Sequence, residues 1–322
     1  MAVERTGGRV SPPAAATGRT MSRRTFLELA AAGILVPASA LGKTSPGSYV
    51  DHLGVQLYTV RDLLAEKPAE TFRALFEAGY RHVENFDVGS LDRLAPLLAD
   101  AGLAVTSTHF SPPFVTGDWS PWEKVGASVP AIGGELDALI AAAIRHRIGF
   151  LVFPYLLPAE RGDLDHYREL AAKLNAAGET CRAAGLRLGY HNHAFEFEPQ
   201  GGSTAFDVLI EELDPGLVQF EIDVFWATFA GFDAVELLRR HAGRCNLLHL
   251  KDLKDGIERS PSAQPPPQAF EELGDGIVDF PAVLAAAAEL GIEHVYVEQD
   301  HCPESPVASL QRSAEYLRGL SL

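Results

Sequence analysis

Gly189–Phe197 reads GYHNHAFEF. It places His191 and His193 at i and i+2 where an apolar strand, Leu186–His191, runs out into a loop. Residues two apart on a strand project to one face, and imidazoles converging there suit metal ligation or proton transfer. Three later strand ends repeat the theme: Glu221 and Asp223 in QFEID, His249 in LLHLKD, and Glu298 in YVEQD. A lone histidine pair is a weak signal. Four acid- or histidine-tipped strands in one chain are a strong one.

Working outward from this stretch, short apolar strands alternate with amphipathic or Ala/Leu-rich helical stretches from Val50 to the C-terminus. The strands read 52–58, 82–86, 104–109, 149–153, 186–191, 218–223, 246–250 and 294–298. Glycines recur just past the helical stretches at Gly79, Gly102, Gly149, Gly185 and Gly291, as expected of C-terminal caps. Strict βα alternation implies a parallel sheet covered by helices, and eight units predict an α/β fold closed as a (β/α)8 TIM barrel. An open doubly wound sheet is the alternative, but no strand leads into a G-x-G-x-x-G turn. In a TIM barrel the C-terminal strand ends converge on the active face. Here those ends carry Gln56, Glu84, His109, Pro154, His191/His193, Glu221/Asp223, His249 and Glu298, and only Pro154 lacks a side chain able to contact a metal or substrate.

The chain has 322 residues, 47% hydrophobic, with net charge −16 and pI near 5.1. That length and apolar content suit one large domain with a sizeable core. The acidic balance argues against a nucleic-acid partner, which needs clustered Lys and Arg. The first forty residues differ. Ser22-Arg23-Arg24-Thr25-Phe26-Leu27, an apolar run and Pro37-Ala38-Ser39-Ala40 read as a twin-arginine export signal cleaved after Ala40. The apolar run is too short to span a membrane. The expected division is therefore 1–40, a disordered extension and signal peptide, and 41–322, the barrel, exported to the periplasm or beyond. Residues 1–40 carry net +3, which leaves −19 for the barrel. Cys181, Cys245 and Cys302 form no disulfide framework and read as small apolar residues.

Asp223, His249, Glu298 and one of His191 or His193 offer mixed nitrogen and oxygen donors. Such a set suits Mn, Zn, Co or Fe better than Mg or Ca. A divalent ion there would stabilise the enediolate formed when a base removes a proton next to a carbonyl. Glu298, Glu221 and whichever of His191 and His193 does not ligate are the candidate bases. Lys251, on the same strand face as His249, could neutralise oxyanion charge. Gln56, Glu84, His109 and Trp226 are the candidate substrate contacts. Each residue also has a plainer reading: His109 and His249 as hydrogen-bonded core histidines, Glu84 paired with Arg61, Asp252 capping a turn. Two long connections, 111–134 with Trp119 and Trp122 and the Pro-rich 254–278, read as covers over the active face.

The segments GVQLYTVRD, LGYHNHAFEF, FEIDVFW, LLHLKD, GDGIVDF and YVEQD resemble the xylose isomerase-like TIM barrels known as sugar phosphate isomerases/epimerases, a group that includes inosose dehydratases and, more distantly, AP endonucleases. The resemblance implies a divalent metal held by a strand-five residue together with Asp223, His249 and Glu298. It also implies a small-molecule sugar as substrate and allows a homo-oligomer. The epimerase branch carries a metal-binding catalytic Glu where His191 stands; a histidine there is closer to the inosose dehydratase pattern. The nuclease branch has a further metal-binding histidine where Trp226 stands. The expected activity is metal-dependent isomerisation or epimerisation of a sugar or keto-sugar. Its alternatives are a dehydratase or lyase using the same enolate and an exported sugar-binding protein without catalysis.

Overall fold

In the computed structural model, residues 45–303 and 305–321 are described; the export signal read at 22–40 lies outside them. Eight strands form the barrel: β1 (Gly54–Gln56), β2 (His82–Asn85), β3 (Ala104–His109), β4 (Phe150–Phe153), β5 (Arg187–His191), β6 (Val218–Asp223), β7 (Cys245–Leu250) and β8 (His294–Val297). All neighbours pair parallel, and β1 closes against both β2 and β8. The expected TIM barrel is therefore the observed fold. Its strands are short and largely buried because helices cover one side and barrel side chains fill the other. Phe150, Val152, Leu247 and Tyr296 pack together within it. Gly54 is required by crowding: a Cβ there would run into the Tyr296 ring and the Val295 carbonyl.

Two irregularities in pairing shape the barrel interior. Between β2 and β3 the register slips after Val83, so that Glu84 opposes Ser107. Between β6 and β7 it slips after Phe220, so that Glu221 opposes Leu247. Such bulges re-aim side chains of the strand that carries the extra residue, here Thr106 in β3 and Asn246 in β7, the strands that carry His109 and His249.

Helix ends follow local rules. Asp163, Asp233, Asp279 and Ser305 accept hydrogen bonds from backbone N–H groups of the first turns they cap, and Thr204 with Asp207 makes a capping box. Gly79, Gly102, Gly185 and Gly291 take the left-handed conformation expected of them. Gly149 does not. Arg147 turns that corner at φ 57°, while the Gly149 N–H donates to the Thr106 carbonyl and so already belongs to the sheet. The 111–134 connection contains two short helices, Pro113–Thr116 and Ser120–Lys124. Among the described residues no helix is long and apolar enough to cross a membrane. Cys181 is buried and all three cysteines are free.

At the N-terminal mouth, opposite the candidate site, the rings of His82 and His294 lie 5.4 Å apart. Burial, reinforced by His82, pushes the His294 imidazole down to about 4. A depressed histidine stays neutral in the fold while the unfolded chain takes up a proton, so stability falls as pH drops from about 6.5 to about 4. The full window is worth about 3 kcal/mol. A His294→Gln variant is expected to lose stability less steeply than the wild type across that range in thermal or urea unfolding. Parallel curves would remove His294 from the acid response.

Candidate metal centre

Strand geometry brings the polar ends together. Asp223 stands opposite His249 across the β6–β7 pair, and His191 opposite Glu221 across β5–β6. One donor atom from each of His191, Asp223, His249 and Glu298 falls within 4.8 Å of the others, and all four residues are buried. His249 Nδ1 is 2.8 Å from Glu298 Oε2 and 3.7 Å from Asp223 Oδ2. His191 Nε2 is 3.4 Å from the same Asp223 oxygen.

The donors are oriented from behind. His191 Nδ1 donates to the Pro154 carbonyl at 3.2 Å, which leaves Nε2 as the nitrogen with a lone pair facing Asp223. Thus the one strand end without a usable side chain contributes its backbone instead. Asn192 Oδ1 accepts the Asp223 N–H at 3.0 Å, tying the end of β5 to that of β6. Glu196, buried beneath, accepts from the Tyr190 hydroxyl and from the His193 N–H, each at 2.9 Å. Burial raises the Glu196 carboxyl to about 7.

A metal fits this set on the structure's own terms. His191 Nε2 is a buried atom with no hydrogen-bond partner, and buried polar groups without partners are costly unless something else satisfies them. Two nitrogens and two carboxylate oxygens suit a divalent transition ion. Lys251 supplies the present counter-charge: its Nζ is 2.8 Å from Glu298 Oε2, 3.1 Å from Asp223 Oδ2 and 3.0 Å from Asp300 Oδ1. Burial alone would weaken these charges. The three carboxylates outweigh it and hold the Lys251 ammonium well above its usual range. Likewise, burial would raise Asp223, but Lys251 and the two histidines hold it well below the carboxylate range. Burial would lower His249, yet Glu221 and Glu298 keep its imidazolium favoured.

Glu84, His109 and Glu221 meet one layer deeper. His109 Nε2 lies 3.0 Å from Glu84 Oε1 and 2.9 Å from Glu221 Oε2, and His249 Nε2 lies 2.6 Å from Glu84 Oε1. Burial opposes the His109 charge, but the two glutamates raise it to about 9. Gln56 Nε2 donates to Glu84 at 2.9 Å. Arg61, the expected partner of Glu84 in its plainer reading, instead donates to the carbonyls of Tyr58 and Asp300.

A cavity of about 200 Å³ opens beside the cluster, bounded by Arg161, His193, Phe195, Glu198, Trp226 and Ser262. The His193 ring lies 4.9 Å from that of His191 and 4.8 Å from Trp226. Its Nδ1 is buried without a partner, and burial, then His191 and Lys251, keeps the ring neutral. The loop after β7 reaches over: Ser262 Oγ donates to Glu198 at 2.8 Å. Asp252 anchors that loop by accepting from the N–H groups of Leu253, Gly274, Gly276 and Val278, which is more than a turn cap does. Of the three tryptophans only Trp226 lines the cavity; Trp119 packs on Phe114 and Trp122 donates to Glu160.

Sequence reasoning missed Asn192, Glu196, Arg161 and Asp300. Asn192 was visible as the middle residue of His-Asn-His, and Asp300 as the second acid of YVEQD. Arg161 carried no signal, because its place is set by a loop that no period predicts.

These features define a class, parallel (β/α)8 barrels with a buried histidine–carboxylate cluster at the C-terminal mouth. The chain belongs to the xylose isomerase-like TIM barrel family, whose model matches residues 71–320. An inosose dehydratase from Geobacillus kaustophilus is 32% identical over 161 residues, 47% of this chain and 52% of that protein. The match thus spans about half the length of that relative. A sugar phosphate isomerase/epimerase from Parabacteroides distasonis superposes with a TM-score of 0.65 at 24% identity, covering 88% of this chain and 99% of that one. The IOLI protein, solved with a zinc atom, superposes at 0.62 with 15% identity over 84% of this chain and all of its own. At those identities the two structures speak for the fold alone.

Because the His249 imidazolium is favoured, a metal must displace a proton to bind. Zinc titrated into metal-free protein is expected to release about one proton and to bind about tenfold more weakly per unit of pH lost below neutrality. Calorimetry in buffers of different ionisation enthalpy checks this. A pH-independent affinity without proton release would exclude His249 as a ligand.

Proposed function

We propose that the chain is a metal-dependent enzyme that removes a proton next to the carbonyl of a sugar or keto-sugar and returns it, as an isomerase or epimerase does. The observation that carries this reading is the joint placement of the His191–Asp223–His249–Glu298 donors, the Lys251 ammonium and the neutral His193 around one mouth. A divalent ion held by the four donors (Mn, Zn, Co or Fe) would supply Lewis-acid polarisation of the substrate carbonyl. His193, neutral and with a free Nδ1 at the cavity, is suited to accept the proton. Lys251, fixed among three carboxylates, is suited to offset negative charge developing on the substrate oxygen. Glu298, one of the four donors, is the candidate second base, while Trp226 offers an apolar face to a sugar ring.

A second reading, loss of water from the same enediolate, is favoured by two observations: the histidine at the end of β5 and the identity to an inosose dehydratase. Both reactions share the first step and part at the second. Export through the twin-arginine signal belongs to the same proposal, supported by residues 22–40 alone, and favours a non-phosphorylated substrate.

Keto-sugars incubated with the metal-loaded protein in heavy water are expected to take up deuterium at the carbon next to the carbonyl. Unchanged product mass apart from that label indicates isomerisation or epimerisation, and loss of one water indicates the dehydratase. Saturable sugar binding without exchange or product would leave a binding protein instead. A Lys251→Met variant is expected to keep about one metal equivalent yet lose about 10²–10³-fold in turnover. Turnover within a few-fold of the wild type would remove Lys251 from the chemistry.

A further inference from the structure

The deeper trio of Glu84, His109 and Glu221 has no task in the proposed proton transfer, and none of the three borders the cavity. Its donor atoms and His249 Nε2 lie within 4.8 Å of one another, close enough to enclose a second cation. The sharing of His249 argues otherwise. One ring nitrogen, Nδ1, faces Glu298 and Asp223; the other, Nε2, faces Glu84 at 2.6 Å and Glu221 at 3.3 Å. An imidazole that ligates through Nδ1 ordinarily keeps its proton on Nε2, and a protonated nitrogen ligates nothing. A carboxylate oxygen 2.6 Å away is the acceptor that proton needs. Carboxylates behind ligating histidines fix the ring's tautomer and orientation in this way.

We propose that Glu84 is the positioning residue of the metal centre: it accepts the Nε2–H of His249, so that Nδ1 is presented to the ion, and the deeper cluster is a hydrogen-bonded support. The inference rests on the upper cluster being a metal centre. Three features aim Glu84 at its task. It stands opposite Gln56 across the regular β1–β2 pair and shares that residue's inward face. Gln56 Nε2 approaches its Oε1 at 2.9 Å and His109 Nε2 at 3.0 Å. The Gln56 amide and the His249 Nε2–H thus meet on that single oxygen, which holds the carboxylate in place. His109 is in turn held by Glu221, 2.9 Å off, and Glu221 sits after the second register slip.

The test is zinc binding by the wild type, Glu84→Gln and Glu84→Ala, with circular dichroism as a folding control and the visible spectrum of each cobalt-loaded protein as a report on ligand geometry. The wild type is expected to bind one equivalent. Glu84→Ala is expected to bind one equivalent about 10–100-fold more weakly, with an altered cobalt spectrum. Glu84→Gln keeps an acceptor oxygen and is expected to recover most of the affinity. Should Glu84→Ala not fold, Glu84→Gln still decides: a several-fold loss with a shifted spectrum supports the proposal, and wild-type values for both overturn it. Two equivalents in the wild type, one of them lost on substitution of Glu84, would make the deeper cluster a second cation site and overturn it as well. No uptake by the wild type would reject the metal centre itself, a failure visible before any substitution is made.

Discussion

The imidazole of His249 is gripped by carboxylates at both ring nitrogens, and much of the barrel's local architecture follows from that constraint. Glu84 and Glu298 hold it from opposite sides, at 2.6 Å and 2.8 Å. A charged or strongly polar ring in a barrel interior is costly unless every hydrogen-bonding direction is used. Satisfying it requires β2, β6, β7 and β8 to bring their ends to one level. The two register slips contribute to the adjustment, because each places its extra residue in a strand that carries a histidine of the cluster, β3 or β7. The bulges are thus part of the site, although they lie below its mouth.

From this ring outward the polar groups grade from fixed to free. Glu84 is held by Gln56 and His249, His191 is oriented by the Pro154 carbonyl, and Asp223 is tied through its backbone to Asn192. His193 stands outside the four donors, has an unpaired Nδ1 and borders the cavity. That gradient is what a reactive site needs: ligands that do not move, next to a base whose lone pair is available. The loop after β7 can vary without disturbing it. Its base is pinned by Asp252, and its tip touches the rest of the mouth through the Ser262–Glu198 bond.

The fold was legible in the sequence because βα alternation and apolar strand runs are local signals. Gly149 shows the limit: a glycine after a helix looks like a cap, but the strand needed its N–H and Arg147 took the turn. The metal-side residues were legible because residues two apart share a face, so His191, Asp223, His249 and Glu298 could be placed together without coordinates. The deeper layer was not. Periodicity placed Glu84, His109 and Gln56 at strand ends, where a substrate contact is the natural expectation, yet none of the three borders the cavity and Glu84 meets His249 instead. A register slip depends on both strands of a pair and leaves no mark in either one alone. The Pro154 carbonyl escaped for a simpler reason: sequence reasoning weighs side chains, and this ligand orientation is set by backbone.

Charge balance ties these layers into one system. Four buried carboxylates, Glu84, Glu221, Asp223 and Glu298, and the partly exposed Asp300 face one permanent cation, Lys251. Without a metal, the remaining compensation falls to protons on His109 and His249, the two rings whose surroundings favour the charged form. A divalent ion held by the upper donors would take the place of the proton on His249 Nδ1 and add a further positive charge, leaving Nε2 and its proton with Glu84. Metal and proton are therefore alternative occupants of one side of a single ring. The other side, where Nε2 faces Glu84 at 2.6 Å, would serve both occupants.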